Sequence, residues 1–285
     1  MVKMRITKYL IFVIVLLLAS CQKEAPGGGN LPMRVEVSLA GDTKGGLTTA
    51  DLTEFYLQLS CDDSFYSYFS KVTKSGKDWA ATKQLFWKDK ATPVSCSAAF
   101  FGDHAFTAAG FADGVDLAVP ANQSTESDMK RADLLTMPTK TLKYKDTDRG
   151  AMTVELSHGL SKVNFVLSLG MEYYTLNLSR TDNPVSGFIV NDVNLGFTFK
   201  PGTVTVKPGT KDDITPFAGN FTPSTSANKT ATATYEAILV PQTFAAGELR
   251  VSFTILGGRF TWTNSSAITL ESGMTYSLPL SAPLL

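Results

Sequence analysis

The chain is poor in residues that could do chemistry. It has only two histidines and three cysteines. His158 sits at an inward position of an alternating run, where a buried ring with a satisfied hydrogen bond is expected. His104 follows Gly102 and Asp103 in a turn and is expected at the surface. No nucleophile elbow, zinc-protease histidine pair or phosphate-cradling glycine loop occurs. Asp146-Thr147-Asp148-Arg149-Gly150 starts like a calcium loop but lacks the later ligands and the closing glutamate. No catalytic residue, metal or cofactor is therefore assigned, and the chain is not read as an enzyme. Cys61 and Cys96 read as two separate small buried residues, although an extracytoplasmic location would permit a disulfide and spacing alone does not decide. The 26 Lys and Arg balance 26 Asp and Glu. That balance leaves no electrostatic footprint for nucleic acid.

The chemistry that the sequence does specify lies at its start. Lys3, Arg5 and Lys8 precede an apolar run over residues 9–18, then small residues. This is the build of a secretory leader, residues 1–20, rather than of a membrane span. Leu18-Ala19-Ser20-Cys21 resembles the bacterial lipobox. That resemblance implies cleavage before Cys21 and acylation of its sulfur and new amino group. Several acyl chains hold a protein stably on a bilayer, since each buried methylene contributes about 0.8 kcal/mol. Residues 21–33 then read as a lipidated, glycine-rich tether with no means of forming a core.

The remaining residues must build the scaffold, and their period is two. Val35, Val37 and Leu39 alternate with polar neighbours, as do Phe55, Leu57 and Leu59. Residues 85–87, 98–101 and 105–111 read as further strands, and 65–69 as an extension. Residues 112–149 are irregular, with a short helix expected within 126–135. Met152, Val154 and Leu156 alternate on even numbers; Val163, Phe165, Leu167 and Leu169 resume on odd ones. A flat strand cannot change face without a break, so two strands meet near Gly159. Later alternating runs, 193–199 with a hairpin to Val204 and Val206, 231–239, 249–255 and 276–280, complete an all-β reading. The expected architecture is two tandem β-sandwich domains with Greek-key or transthyretin-like topology, residues 34–150 and 151–285. Pro279 and Pro283 restrict the last strand to an edge.

Several short motifs recur in a familiar order. They are Thr43-Lys44 after the first strand, Asp133-Leu134-Leu135, Leu156-Ser157-His158 with Ser161-Lys162-Val163, residues 237–242 (AILVPQ), and Gly273-Met274-Thr275-Tyr276. With the lipobox, they make the chain similar to the fimbrillin-like proteins of Bacteroidetes, the type V pilins and their accessory lipoproteins. Lys23-Glu24 resembles a short form of a surface-export signal of such lipoproteins. The resemblance implies an outer-membrane, cell-surface location and assembly with other fimbrial subunits into an adhesive fibre, with a host or bacterial surface ligand as a further partner. It also implies proteolysis after a basic residue in the loop behind the first strand, here Lys44 where stalk pilins carry Arg. Val35, Val37 and Leu39 would be the displaced strand. The donor that refills the slot would be a segment like Tyr276, Leu278 and Leu280 of another copy, by strand addition. The alternative is a surface lipoprotein that binds glycans on aromatics, with Tyr66, Tyr68, Trp79 and Trp262 as candidates; a flat exposed row of these rings would favour it.

Overall fold

The computed structural model describes residues 31–40, 46–62, 65–170, 182–224 and 230–282. Cys21 and Lys44 lie outside them. Along the described chain run β1 (Arg34–Ala40), β2 (Glu54–Ser60), β3 (Ser67–Ser75), β4 (Asp78–Ala81), β5 (Val94–Phe101), α1 (Ala108–Asp113), β6 (Val115–Ala118), α2 (Glu126–Arg131) and β7 (Leu134–Leu142). A 3-10 turn, Tyr144–Asp146, precedes β8 (Ala151–His158), β9 (Ser161–Leu169), β10 (Val185–Asn194), β11 (Gly196–Lys200), β12 (Thr203–Val206), β13 (Lys211–Ile214) and β14 (Phe217–Thr222). The rest are β15 (Ala231–Leu239), β16 (Thr243–Phe244), β17 (Arg250–Ile255), β18 (Gly258–Thr263), β19 (Ile268–Thr269) and β20 (Thr275–Ser281). The protein is all-β, as its alternating pattern requires.

The first sheet closes on itself in the order β1-β4-β3-β2-β5-β7-β8. Its interior is a core that includes Phe55, Leu57, Leu59, Trp87, Met137, Met152, Val154 and Leu156. The other sheets are β13-β10-β17-β18, β12-β11-β6, β14-β15-β9-β20 and the pair β16-β19. They enclose a second core containing Val163, Phe165, Phe197, Phe199, Val251 and Phe253. Ala151–His158, where the second unit was expected to begin, pairs with β1 and β7, whereas β9 pairs with β15 and β20. The change of face read near Gly159 is the step between these two sheets. The halves also interlock: β6 pairs with β11, and Phe106, Phe111 and Leu117 are buried in the second core.

Three local expectations fail, the first being that residues 112–149, expected irregular, contain strands β6 and β7. Residues 105–111 are not a strand. Thr107 caps α1 by accepting the Gly110 N–H, and the small residues that spoil strand alternation leave Phe111 as the one buried side chain of the helix. Residues 85–87 form only a bridge to the chain before β1: Met33 donates to Leu85 O and Trp87 to Leu31 O, each at 2.9 Å. The helix expected within 126–135 is real but ends at Arg131, because Leu134 and Leu135 enter β7.

Candidate functional site

Strand β1 is held unevenly. Along one flank it runs parallel to β8, from Arg34 opposite Ala151 to Ala40 opposite Ser157. Along the other it meets β4 at a single register pair, Val35 with Trp79. Beside that seam a cavity of about 410 Å³ is lined by Met33, Val35, Trp79, Leu85 and Arg149, among others. Val35 and Leu39 are buried and Val37 half-buried, while Arg34, Glu36, Ser38 and Ala40 are exposed. Each fully buried aliphatic side chain stabilises the seat by about 1.5–3 kcal/mol. Arg34, the first residue of β1, is exposed and paired with Glu36 at 2.8 Å.

The dependence is mutual. Met152, Val154 and Leu156 of β8 are fully buried. Yet β8 meets β7 at only two register pairs, Leu135 with His158 and Thr136 with Ser157. Most of its ladder is supplied by β1. Removing β1 would leave the backbone groups of a buried strand unpaired, which is costly.

On the far side of residues 41–45 the chain is pinned again. Asp133 is buried, and its Oδ2 accepts the Leu47 N–H at 3.1 Å and pairs with His158 Nδ1 at 2.8 Å. With a carboxylate as partner, Nδ1 carries the ring proton. His158 is buried as expected, but only half satisfied, since its Nε2 has no hydrogen-bond partner among the described residues. Next, Asp51 accepts from the Thr48 hydroxyl at 2.6 Å and pairs with Lys130 at 3.0 Å. The Thr48 hydroxyl, reinforced by Lys130, holds the Asp51 carboxyl below its ordinary range.

The candidate donor, β20, is an edge strand lying parallel to β9, from Thr275 opposite Lys162 to Ser281 opposite Ser168. Leu280 is buried, Tyr276 and Leu278 half-buried, and Pro279 exposed. Pairing with the ribbon starts earlier: Gly273 donates to Leu160 O at 2.9 Å and Lys162 to Met274 O at 3.0 Å. Thus β1 and the segment that leads into β20 lie end to end along one ribbon, β8 followed by β9. Where they meet, a cavity of about 290 Å³ is lined by residues including Ala40, His158, Gly159 and Gly273.

Elsewhere the structure separates the sequence candidates. Tyr66 is buried and donates its hydroxyl to Phe86 O at 2.7 Å; burial raises its phenol pKa. Trp79 packs on Phe55 at a centroid distance of 5.4 Å, and Tyr68 and Trp262 are half-buried against different cores. These four rings form no flat sugar platform. His104 is half-buried, edge-on to Phe106 at 4.6 Å, and burial lowers its pKa. Cys61 and Cys96 are not joined in a disulfide; burial pushes the Cys96 thiol up to about 12. Asp133 was legible as part of a motif, but its union with Leu47 and His158 was not, since the partners are distant in sequence.

The profile of fimbrillin-like proteins matches residues 48–282, so the chain belongs to the fimbrillin-like family. A search of curated proteins finds no match. Among solved structures, a putative cell adhesion protein from Bacteroides uniformis superposes with a TM-score of 0.58 at 15% identity, covering 88% of this chain and 92% of that one. One from Bacteroides ovatus gives 0.59 at 12% identity, with 88% and 91% covered. A fimbrial protein from Bacteroides vulgatus gives 0.51 at 12% identity, with 88% and 95% covered. At these identities the likeness is one of fold. Family membership makes the chain a fimbrial, cell-surface structural protein rather than an enzyme.

Proposed function

We propose that this fimbrial subunit joins its neighbours by strand addition. A break behind β1 frees that strand, and an extended segment of another subunit takes its place beside β8. The carrying observation is the uneven seat of β1: a full parallel ladder on β8, one register pair on β4, and a β8 that has little other pairing. A replacement strand would restore the same ladder, with its alternate apolar side chains in the positions of Val35, Val37 and Leu39. The segment Tyr276, Leu278 and Leu280 has the matching alternation and already lies at a sheet edge. Pro279 weakens it as a donor, which favours a tip, anchor or accessory position over a stalk position.

A lock tests the reading. Val37 and Val154 are register partners across β1 and β8, at a spacing that accommodates a disulfide. Val37→Cys with Val154→Cys should assemble only when reduced, read by electron microscopy or size-exclusion chromatography after proteolysis. Equal assembly of the oxidised protein refutes strand displacement.

Processing and anchoring complete the proposal. Lys44 is proposed as the cut site, and Cys21 as the acylated residue that anchors the precursor to the outer membrane. Lys44→Ala should fold normally and keep its first strand, and Cys21→Ala should leave the membrane fraction. N-terminal mapping of the surface form reads the first, and membrane fractionation the second. A mature start at Gly45 in Lys44→Ala, or membrane retention of Cys21→Ala, would contradict these assignments.

A further inference from the structure

We propose that Asp133 and His158 form a buried latch that keeps the vacated slot in shape while β1 is absent and before a replacement arrives. The inference rests on the strand-addition reading and adds to it the device that makes the empty slot survive. Asp133 joins two backbone segments that an exchange would otherwise release together. One is the chain downstream of residues 41–45, gripped through the Leu47 N–H at 3.1 Å. The other is the end of β8, gripped through the His158 ring at 2.8 Å.

Each segment needs the latch when β1 goes. The carboxylate contact to Leu47 involves no residue of β1, so it survives a cut upstream. Strand β8 loses its long ladder and keeps its two register pairs with β7 at its end. His158 is one of those two residues, so the latch and the remaining pairs reinforce the same point. The next residue adds a third hold, with Gly159 N–H donating to Leu134 O at 2.7 Å. Asp133 directly precedes β7, so the latch is built on the strand that remains. The pair is almost dry, with side chains 1% and 5% exposed. A buried charge-assisted hydrogen bond of this kind is stronger than a surface ion pair, and deleting one partner leaves the other unsatisfied. The packing is close: a Cβ on Gly46 would lie 3.5 Å from Asp133 Oδ2 and 3.4 Å from Ile238 Cδ1. Asp133 is thus a positioning residue, acting on the slot through β8 and not touching the incoming strand.

The test replaces residues 41–45 with the recognition sequence of a site-specific protease and cuts the folded full chain. The cut β1 segment is then released in mild urea and removed by size-exclusion chromatography, and a synthetic peptide carrying residues 275–281 is added only afterwards, for the capture measurement. Amide hydrogen exchange is followed at Leu47 and β8. In the wild-type background, β1 should come away while Leu47 and the end of β8 keep their protection. Asp133→Asn should be protected before the cut. After it, Leu47 should exchange about tenfold faster or more than in the wild-type background, and peptide capture should slow. Loss of Leu47 protection in the cut wild-type background, or equal rates in Asp133→Asn, overturns the latch. If Asp133→Asn fails to fold, His158→Gln serves in its place, and the wild-type measurement decides by itself. Retention of β1 by the cut chain through the urea step would defeat the strand-addition reading, whereas the Leu47 comparison would still judge the latch.

Discussion

Gly273 stands where two requirements meet. Its φ is +71°, and a Cβ there would lie 2.9 Å from the carbonyl oxygen of His158. Gly209 shares the first demand, with φ +81°, but nothing lies within 4 Å of its would-be Cβ. Gly273→Ala should therefore cost about 2–4 kcal/mol, and Gly209→Ala about 1 kcal/mol, since only the first adds a clash to the strain of a left-handed backbone. Urea unfolding of the two variants checks the difference, and equal losses would show that the contact relaxes freely. Gly273 belonged to a motif visible in the sequence, but its reason was not, because His158 lies far away along the chain. The same holds for Asp133. Residue patterns marked both positions as special without revealing what they face.

Periodicity made the elements more legible than the sites. Clean alternation over 35–39, 55–59, 152–156 and 231–239 translates directly into strands β1, β2, β8 and β15. Where alternation was poor, local chemistry won, as in the Thr107-capped helix α1. The loop between β6 and α2 has a role no local pattern could reveal. Gln123 is fully buried and substitutes for a strand: its Nε2 donates to Ile238 O at 2.9 Å, and its Oε1 accepts the Ile238 N–H at 2.8 Å. Ile238 needs this because the pairing of β14 with β15 reaches only to Glu236. Gln123→Ala leaves both backbone groups unpaired and should cost about 2–4 kcal/mol. Hydrogen exchange at the Ile238 amide is the direct check, and unchanged protection would contradict it.

On the scale of the whole molecule, the cores are distinct but the chain segments that make them are not. Phe101, Phe106, Phe111 and Leu117 come from the first half and are buried in the second core, and Val115–Ala118 completes a sheet with β11. A fragment ending after β8, residues 31–158, should expose these aromatics and aggregate, even though every strand of the first ring is present. Size-exclusion chromatography of that fragment decides it; a monodisperse folded monomer would count against this interlocking. A boundary near Gly159, expected from the change of face there, cannot describe segments such as β6 and Phe106 that cross between the two cores.

The end-to-end placement of β1 and the segment through β20 also has a mechanical consequence. Both run parallel to the ribbon they cover, so a pull on the leading end of β1, resisted through the far end of that ribbon, is borne by the whole ladder at once. Tension applied sideways would instead peel the bonds one by one. Single-molecule pulling should find a much higher rupture force along the ribbon than across it, and equal forces would disprove the idea. A fibre joined through such a slot, as proposed, would carry lengthwise tension through the whole ladder and give way first to sideways peeling.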